Sequence, residues 1–476
     1  MSGRMSGQVS GRMSGSVDAS AISTRLGEFV ATTGFDDLDP AIVERAKKSI
    51  LDLLGVTLCG SRSESAAEFE RYVTAQRAAG EATVLGAGRC SSAYYAALLN
   101  GTFAHATELS ETFNRAVVHP GNVVLPAVLA VAERQRASGR DAIRAAVVGY
   151  EVLIRAGLSL GTAWMMDQGY HPPSAVGPLG SAAAAASLLG LEPDAAAETL
   201  GIAACLTPST LAGAFRGATV KELFEGYAAA TGVLAADLAA QGITGVAEWP
   251  RDWYRAVARR HDAEVLIDGL GSRWKVGSGG LRTKTRAVAA MATPTLDAVQ
   301  EILAEATIRP DEITSVRVES ARRVTIGGVA TPPTVVAARA SVPFLTAFAL
   351  ARQDEFLSDP YLVRVLTKDV LEAPEVRRLA STVDLVVDEE IDRAFEEGWP
   401  PAFAARVTVT AGGATHERYV DSFPRTANLS WDDLAAKFRA ITSGVLAADR
   451  AERLVERVRK LDEVADVRDV LTLAGS

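Results

Sequence analysis

The chain has only five histidines in 476 residues, so each can be weighed for chemistry in turn. His119 and His171 both precede proline, in VVHPGN and GYHPPS. A proline ring pushes the residue before it out of the α region, so each imidazole is expected on a loop just ahead of a helix. Amides at a helix start favour an anion, and an imidazole facing a cleft there could move a proton beside a bound carboxylate. On the residues alone, each is as readily a structural turn as a functional site. His105 lies in an apolar helical stretch, NGTFAHATEL, and reads as a satisfied core histidine. His261, in a charged stretch, and His416, near a hairpin turn, read as surface residues.

Glu111 and Thr112 follow Glu108 at spacings of three and four, which would put the three on one helical face. Paired carboxylates there could do acid–base work, although such pairs usually form a solvated acidic face. Glu108, His119 and His171 are ligand types that suit several metals, but no close HExxH-like spacing supports a site, and no metal is expected. Lys221, in GATVKELFEGYAAATG, and Lys284, in GLRTKTRAVAA, would on spacing alone be solvated. There is no GxGxxG between a strand and a helix, no phosphate loop and no GxSxG elbow, so nicotinamide, nucleotide and serine-hydrolase chemistry find no support. Cys59, Cys90 and Cys205 are widely spaced, which argues against a disulfide framework or a cysteine zinc site and for a reducing, cytoplasmic setting. A net charge of −9 gives no reason to expect nucleic acid or an anionic membrane as partner.

The elements that must position these residues come in three blocks. Residues 1–20 are a near-repeat of small polar residues, expected as a disordered tail without the apolar stretch of a secretory signal. From residue 21 to about 265 the chain reads as helix after helix, with Asp39-Pro40 as one helix start and Ala/Gly-rich stretches that let helix axes approach closely. After Trp274 the texture changes. ITSVRVES alternates as a half-buried strand does, VDLVV and RVTVT read as further strands, and Gly412-Gly413 marks a hairpin. Ser430 to Asp433 resembles a capping box ahead of a helical end. No apolar run is long and charge-free enough to span a bilayer. The expected plan is mainly α with an inserted α+β lid: helical domain 21–270, lid 271–427, and helices 428–476 completing an all-helical domain made from both chain ends.

Several ordered strings in this chain, among them LLNGTFAHATELSETFNRAVVHPGNVVLPAVLAVAE, GYHPPSAVGPLGSAAAAASLLGL and KELFEGYAAATGVLAADLAAQGITG, resemble the MmgE/PrpD superfamily. That group includes 2-methylcitrate dehydratase, cis-aconitate decarboxylase and iminodisuccinate epimerase. The resemblance runs from about residue 22 to the C-terminal helices. It implies a homodimer with a helical domain and a smaller lid, an active site between them, and neither metal nor organic cofactor. It places Glu108, Thr112, His119, His171 and Lys221 among the catalytic groups, and Lys284 with Arg282, Thr293 and Phe344 on the substrate. Four positions depart from the family pattern: Phe224 and Thr293 stand where histidine is usual, Val288 near where the decarboxylase branch has another histidine, and Phe344 where tyrosine is usual. These departures point away from ordinary methylcitrate dehydration or aconitate decarboxylation and toward a less charged or larger substrate.

The chemistry so implied is a carbanionic intermediate beside a carboxyl group of a small organic acid. A lyase losing water or carbon dioxide is the first expectation. A cofactor-independent epimerase or isomerase is the second, and a non-catalytic binding protein that kept the fold the third.

Overall fold

The computed structural model describes residues 18–160, 165–166, 168–207, 217–258, 261–397, 403–421 and 429–475. Most of the expected tail lies outside the described residues. Its last three do not: Asp18 accepts a hydrogen bond from the Ser20 amide and caps a helix, Ala19–Thr32. Ordered structure therefore begins inside the segment expected to lack it, because an N-cap carboxylate satisfies an orphan amide.

The chain is mainly helical, as its small-residue content dictates. The Ala93–Ala106, Pro120–Gln135, Pro172–Leu189 and Val220–Ala240 helices pack on one another. Glycine sets one close crossing. A Cβ built on Gly101 would lie 2.6 Å from the Gly226 Cα. Only a residue without a side chain tolerates that approach. The crossing brings two polar side chains together, since His105 lies one helical turn beyond Gly101 and Glu225 adjoins Gly226.

Apolar side chains form distinct cores. One gathers residues from 22 to 287 and again from 434 to 474, so both ends of the chain contribute to it. A second is built from residues 288 to 420. It covers one face of a four-stranded sheet ordered Val383–Val387, Ile313–Ser320, Ala404–Ala411 and Ala414–Asp421. The first pair is parallel and the other two antiparallel. All three expected strand segments lie in this sheet, with Gly412 and Gly413 at positive φ in the hairpin between its last two strands. The Thr293–Glu305 helix packs on the sheet. Among the described residues, no helix is long and apolar enough to cross a membrane.

The Trp431–Thr442 helix is capped by Ser430, whose hydroxyl accepts from the Asp433 amide. It carries Lys437, which is 1% exposed. Its ammonium donates to Asp52 Oδ1 at 2.6 Å, to the Leu109 carbonyl at 3.1 Å and to the Lys284 carbonyl at 2.7 Å. One buried cation thus ties the Trp431–Thr442 helix to two segments that carry cavity residues. Lys437→Met should leave Asp52 buried without its partner, which typically lowers stability by about 3–5 kcal/mol. Urea unfolding would measure that loss; a midpoint unchanged from the parent protein would contradict it.

Candidate active site

His119 caps the Pro120–Gln135 helix and His171 caps the Pro172–Leu189 helix, each followed by proline and neither using its ring as the cap. The rings are therefore free for other contacts. His119 Nδ1 lies 3.1 Å from the Glu111 carbonyl, and His171 Nδ1 lies 2.7 Å from Ser174 Oγ. A carbonyl only accepts, so the proton of neutral His119 sits on Nδ1 and Nε2 is the basic nitrogen.

Glu108 is the hub. It sits just past the helix end at Ala106 with φ of 54°, a left-handed conformation that costs a non-glycine residue about 1–3 kcal/mol. Its carboxylate pairs with the Lys221 ammonium and lies 3.3 Å from Lys284 Nζ, which also donates to the Glu108 carbonyl at 3.0 Å. These contacts hold the strained turn in place. Lys221 enters the Val220–Ala240 helix, and Lys284 arrives through a two-residue strand pairing in which Thr112 faces Arg282. That pairing carries the Glu108–Thr112 loop alongside Lys284.

His105, Glu108, Thr112, His119, His171, Lys221 and Lys284 all line one cavity of about 180 Å³. Its opposite wall comes from the 288–420 segment, with Ala289, Ala290, Met291, Val336 and Phe403 beside Arg323 and Arg339. The cavity thus lies between the two apolar cores, polar on one wall and largely apolar on the other.

Burial sets the charge states. Loss of hydration lowers both ammonium groups, Lys221 and Lys284, to about 8. It also pushes His171 down to about 3, and His119 likewise to about 3 with help from the Lys284 charge. His105 falls well below the ordinary imidazole value, first by burial and then through Lys221. At neutral pH the cavity holds uncharged imidazoles beside cationic lysines. Such a site can bind an anion and accept a proton from it.

The placements differ from the sequence expectations at several points. Glu108, Glu111 and Thr112 do not share a helical face, because the helix stops at Ala106 and the chain turns through Glu108. Glu111 points away from the cavity, paired with Arg45 at 3.1 Å and accepting from Ser49 at 2.8 Å and from Tyr150. Phe344 is 1% exposed inside the second core and does not line the cavity; Val288 is buried there too. Arg282 and Thr293 line a smaller adjoining hollow of about 20 Å³ that also touches Thr112 and Lys284. Phe224 packs against His171, with ring centroids 5.4 Å apart.

His105 reads from sequence as a satisfied core residue. It is 2% exposed, but its Nδ1 has no hydrogen-bond partner among the described residues and its ring lies on the cavity wall. The ring stacks on His171 at 5.9 Å and lies 6.4 Å from His119. Its spacing of three from Glu108 was the available signal, as was Glu225 four residues after Lys221. His105, His171 and Glu225 offer ligand atoms within 4.8 Å of one another, a geometry a metal could use. The ammonium groups of Lys221 and Lys284 nearby oppose a further cation there.

Residues 24–265 match the MmgE/PrpD N-terminal domain and residues 287–463 the MmgE/PrpD C-terminal domain. The cis-aconitate decarboxylase of Aspergillus terreus is 27% identical over 95% of this chain and 96% of its own length. That of Homo sapiens is 29% identical over 92% of this chain and 91% of its own. The Mus musculus protein of the same name is 35% identical over 44% of this chain and 43% of its own. With both domains matched in order around a shared cavity, the chain belongs to the MmgE/PrpD family.

Proposed function

We propose that this chain is a cofactor-independent lyase that removes carbon dioxide from a small organic acid by proton transfer next to a carboxylate. One observation carries the reading: two ammonium groups and three neutral imidazoles face a single cavity. The substrate carboxylate sits between Lys221 and Lys284, where Glu108 keeps the ammonium groups apart and aimed. His119 Nε2 and His171 handle protons, and Thr112 orients the Glu108 loop. A fixed cation stabilises the negative charge that develops as the bond to the leaving carboxylate breaks, and one such donor is worth about 3–4 kcal/mol. The decarboxylase names of the relatives support loss of carbon dioxide over loss of water.

The substrate class comes from the second wall. Val288 and Phe344 lie in the apolar core, so they do not reshape the cavity directly. The wall from the 288–420 segment instead sets Ala290, Met291 and Val336 beside Arg323 and Arg339, which suits a substrate with both an apolar portion and a carboxylate. The 288–420 segment that supplies this wall acts as a lid on the helical part. Incubation with cis-aconitate and with alkyl-substituted unsaturated acids in D₂O, read by NMR and headspace carbon dioxide, tests the reading. Carbon dioxide release with deuterium entering the product is expected. Deuterium wash-in without mass loss would turn the assignment to epimerase or isomerase, and inertness toward the whole panel would leave a binding protein.

We also propose a cytoplasmic homodimer as the working form. Val220, Tyr227 and Leu234 recur every seven residues along one helix and are 46%, 43% and 38% exposed, a stripe that a second copy would cover. Light scattering at the monomer mass would overturn that.

A further inference from the structure

Glu225 is a buried carboxyl behind the cavity wall that the lyase chemistry of the lysines and His-Pro imidazoles leaves unused. It is 0% exposed, on a helix that otherwise contributes Lys221 to the cavity. Asn122 Nδ2 donates to its Oε2 at 2.6 Å, but Oε1 has no hydrogen-bond partner among the described residues. A buried carboxylate oxygen left without a donor is costly unless it carries or shares a proton. The nearest candidate is His105, whose Nε2 lies 3.6 Å from Glu225 Oε1 and also 3.6 Å from Glu108 Oε1. That separation is longer than a hydrogen bond, and catalytic contacts of this kind commonly tighten when substrate binds. The imidazole thus stands between a carboxylate sealed in the helical core and one on the cavity wall.

We propose that Glu225 and His105 form a proton-storing dyad, in which Glu225 is a positioning residue that charges His105 and His105 delivers the proton that replaces the departing carboxylate. This rests on the lyase reading. The bond to the leaving carboxyl carbon breaks, carbon dioxide departs, and the electron pair stays on the substrate carbon. That carbon takes a proton from the His105 imidazole, His105 is recharged by the Glu225 carboxyl, and Glu225 regains its proton from solvent. One proton is consumed per carbon dioxide released, so atoms and charge balance.

Electrostatics agree with the geometry. Burial raises the Glu225 carboxyl to about 7, against the opposing pull of Asn122, Lys221 and Lys284. Burial disfavours a lasting imidazolium on His105, and so do the facing Lys221, His171, His119 and Lys284. The stored proton therefore resides on Glu225 and visits His105 only in passing. The close approach of Gly101 and Gly226 fixes the distance between the two partners.

The test compares the full-length parent protein with Glu225→Gln and His105→Gln. First, ¹⁵N-histidine NMR of the ligand-free protein follows His105, assigned by its loss in His105→Gln. In the parent, the His105 signal should shift with a midpoint near pH 7; in Glu225→Gln that step should vanish. Second, kcat of Glu225→Gln should fall at least tenfold with KM changed less than twofold, and the inflection near pH 7 in kcat/KM should disappear while that near 8 remains. An unaltered His105 titration, or a wild-type kcat and pH profile in Glu225→Gln, would overturn the dyad. If the parent turns over no acid on the panel, the lyase reading fails while the NMR arm still decides whether the two groups share a proton.

Discussion

His171→Ala is expected to lower kcat by about 10²–10⁴-fold, the usual contribution of a positioned acid or base. The imidazole is 8% exposed, held by Ser174 at its Nδ1 and flanked by His105 and Phe224. Burial keeps it neutral, so at pH 7 it can accept a proton without first losing one. Removing the ring leaves the helix start intact, because the Ser174 and Ala175 amides bond to the His171 main-chain carbonyl and Pro172 fixes the first turn. The circular-dichroism spectrum should therefore match the parent. Turnover within threefold of wild type would remove His171 from the mechanism.

Lys284→Met should have an effect of similar size, divided differently between the kinetic constants. Lys284 Nζ is the donor that reaches both the Glu108 carboxylate and its carbonyl. Its loss takes one positive charge from the substrate and lets the left-handed Glu108 turn relax. A loss of about 3–4 kcal/mol corresponds to roughly 10²–10³-fold in kcat/KM, with a rise in KM as well as a fall in kcat. The same group carries a companion pH effect. With its ammonium lowered to about 8, Lys284 is cationic below that pH and neutral above it. Affinity for a non-reacting dicarboxylate such as succinate should thus hold steady from pH 6 to 7.5 and fall as pH rises through 8. Calorimetry would show it; affinity independent of pH between 7 and 9.5, or unchanged in Lys284→Met, would separate the lysine from anion binding.

The local rules were legible in the chain itself. His-Pro steps placed two imidazoles at helix starts, since proline excludes the α region for its predecessor whatever the surroundings. Period-two alternation in ITSVRVES marked a strand with one buried face, and Asp39, Ser430 and Gly412-Gly413 marked starts and turns. The motifs of the family also named Glu108, Lys221 and Lys284, whose chemistry spacing alone could not reveal.

What the order of residues could not show is which side a group faces once the chain turns. Glu108 and Glu111 look equivalent as a pair of carboxylates three apart. The end of the helix at Ala106 and the positive φ at Glu108 send one to the lysines and the other to Arg45. Phe344 sits in an apolar core because its helix, Val342–Ala351, packs inside that core and lends no residue to the cavity. His105 and Glu225 are 120 positions apart and meet only because two glycines let their helices nearly touch. Composition and short-range spacing determined the helices, the sheet and the residue types able to move protons. Tertiary packing decided which of those groups lost water and faced one another, and that loss of water is what set their charges.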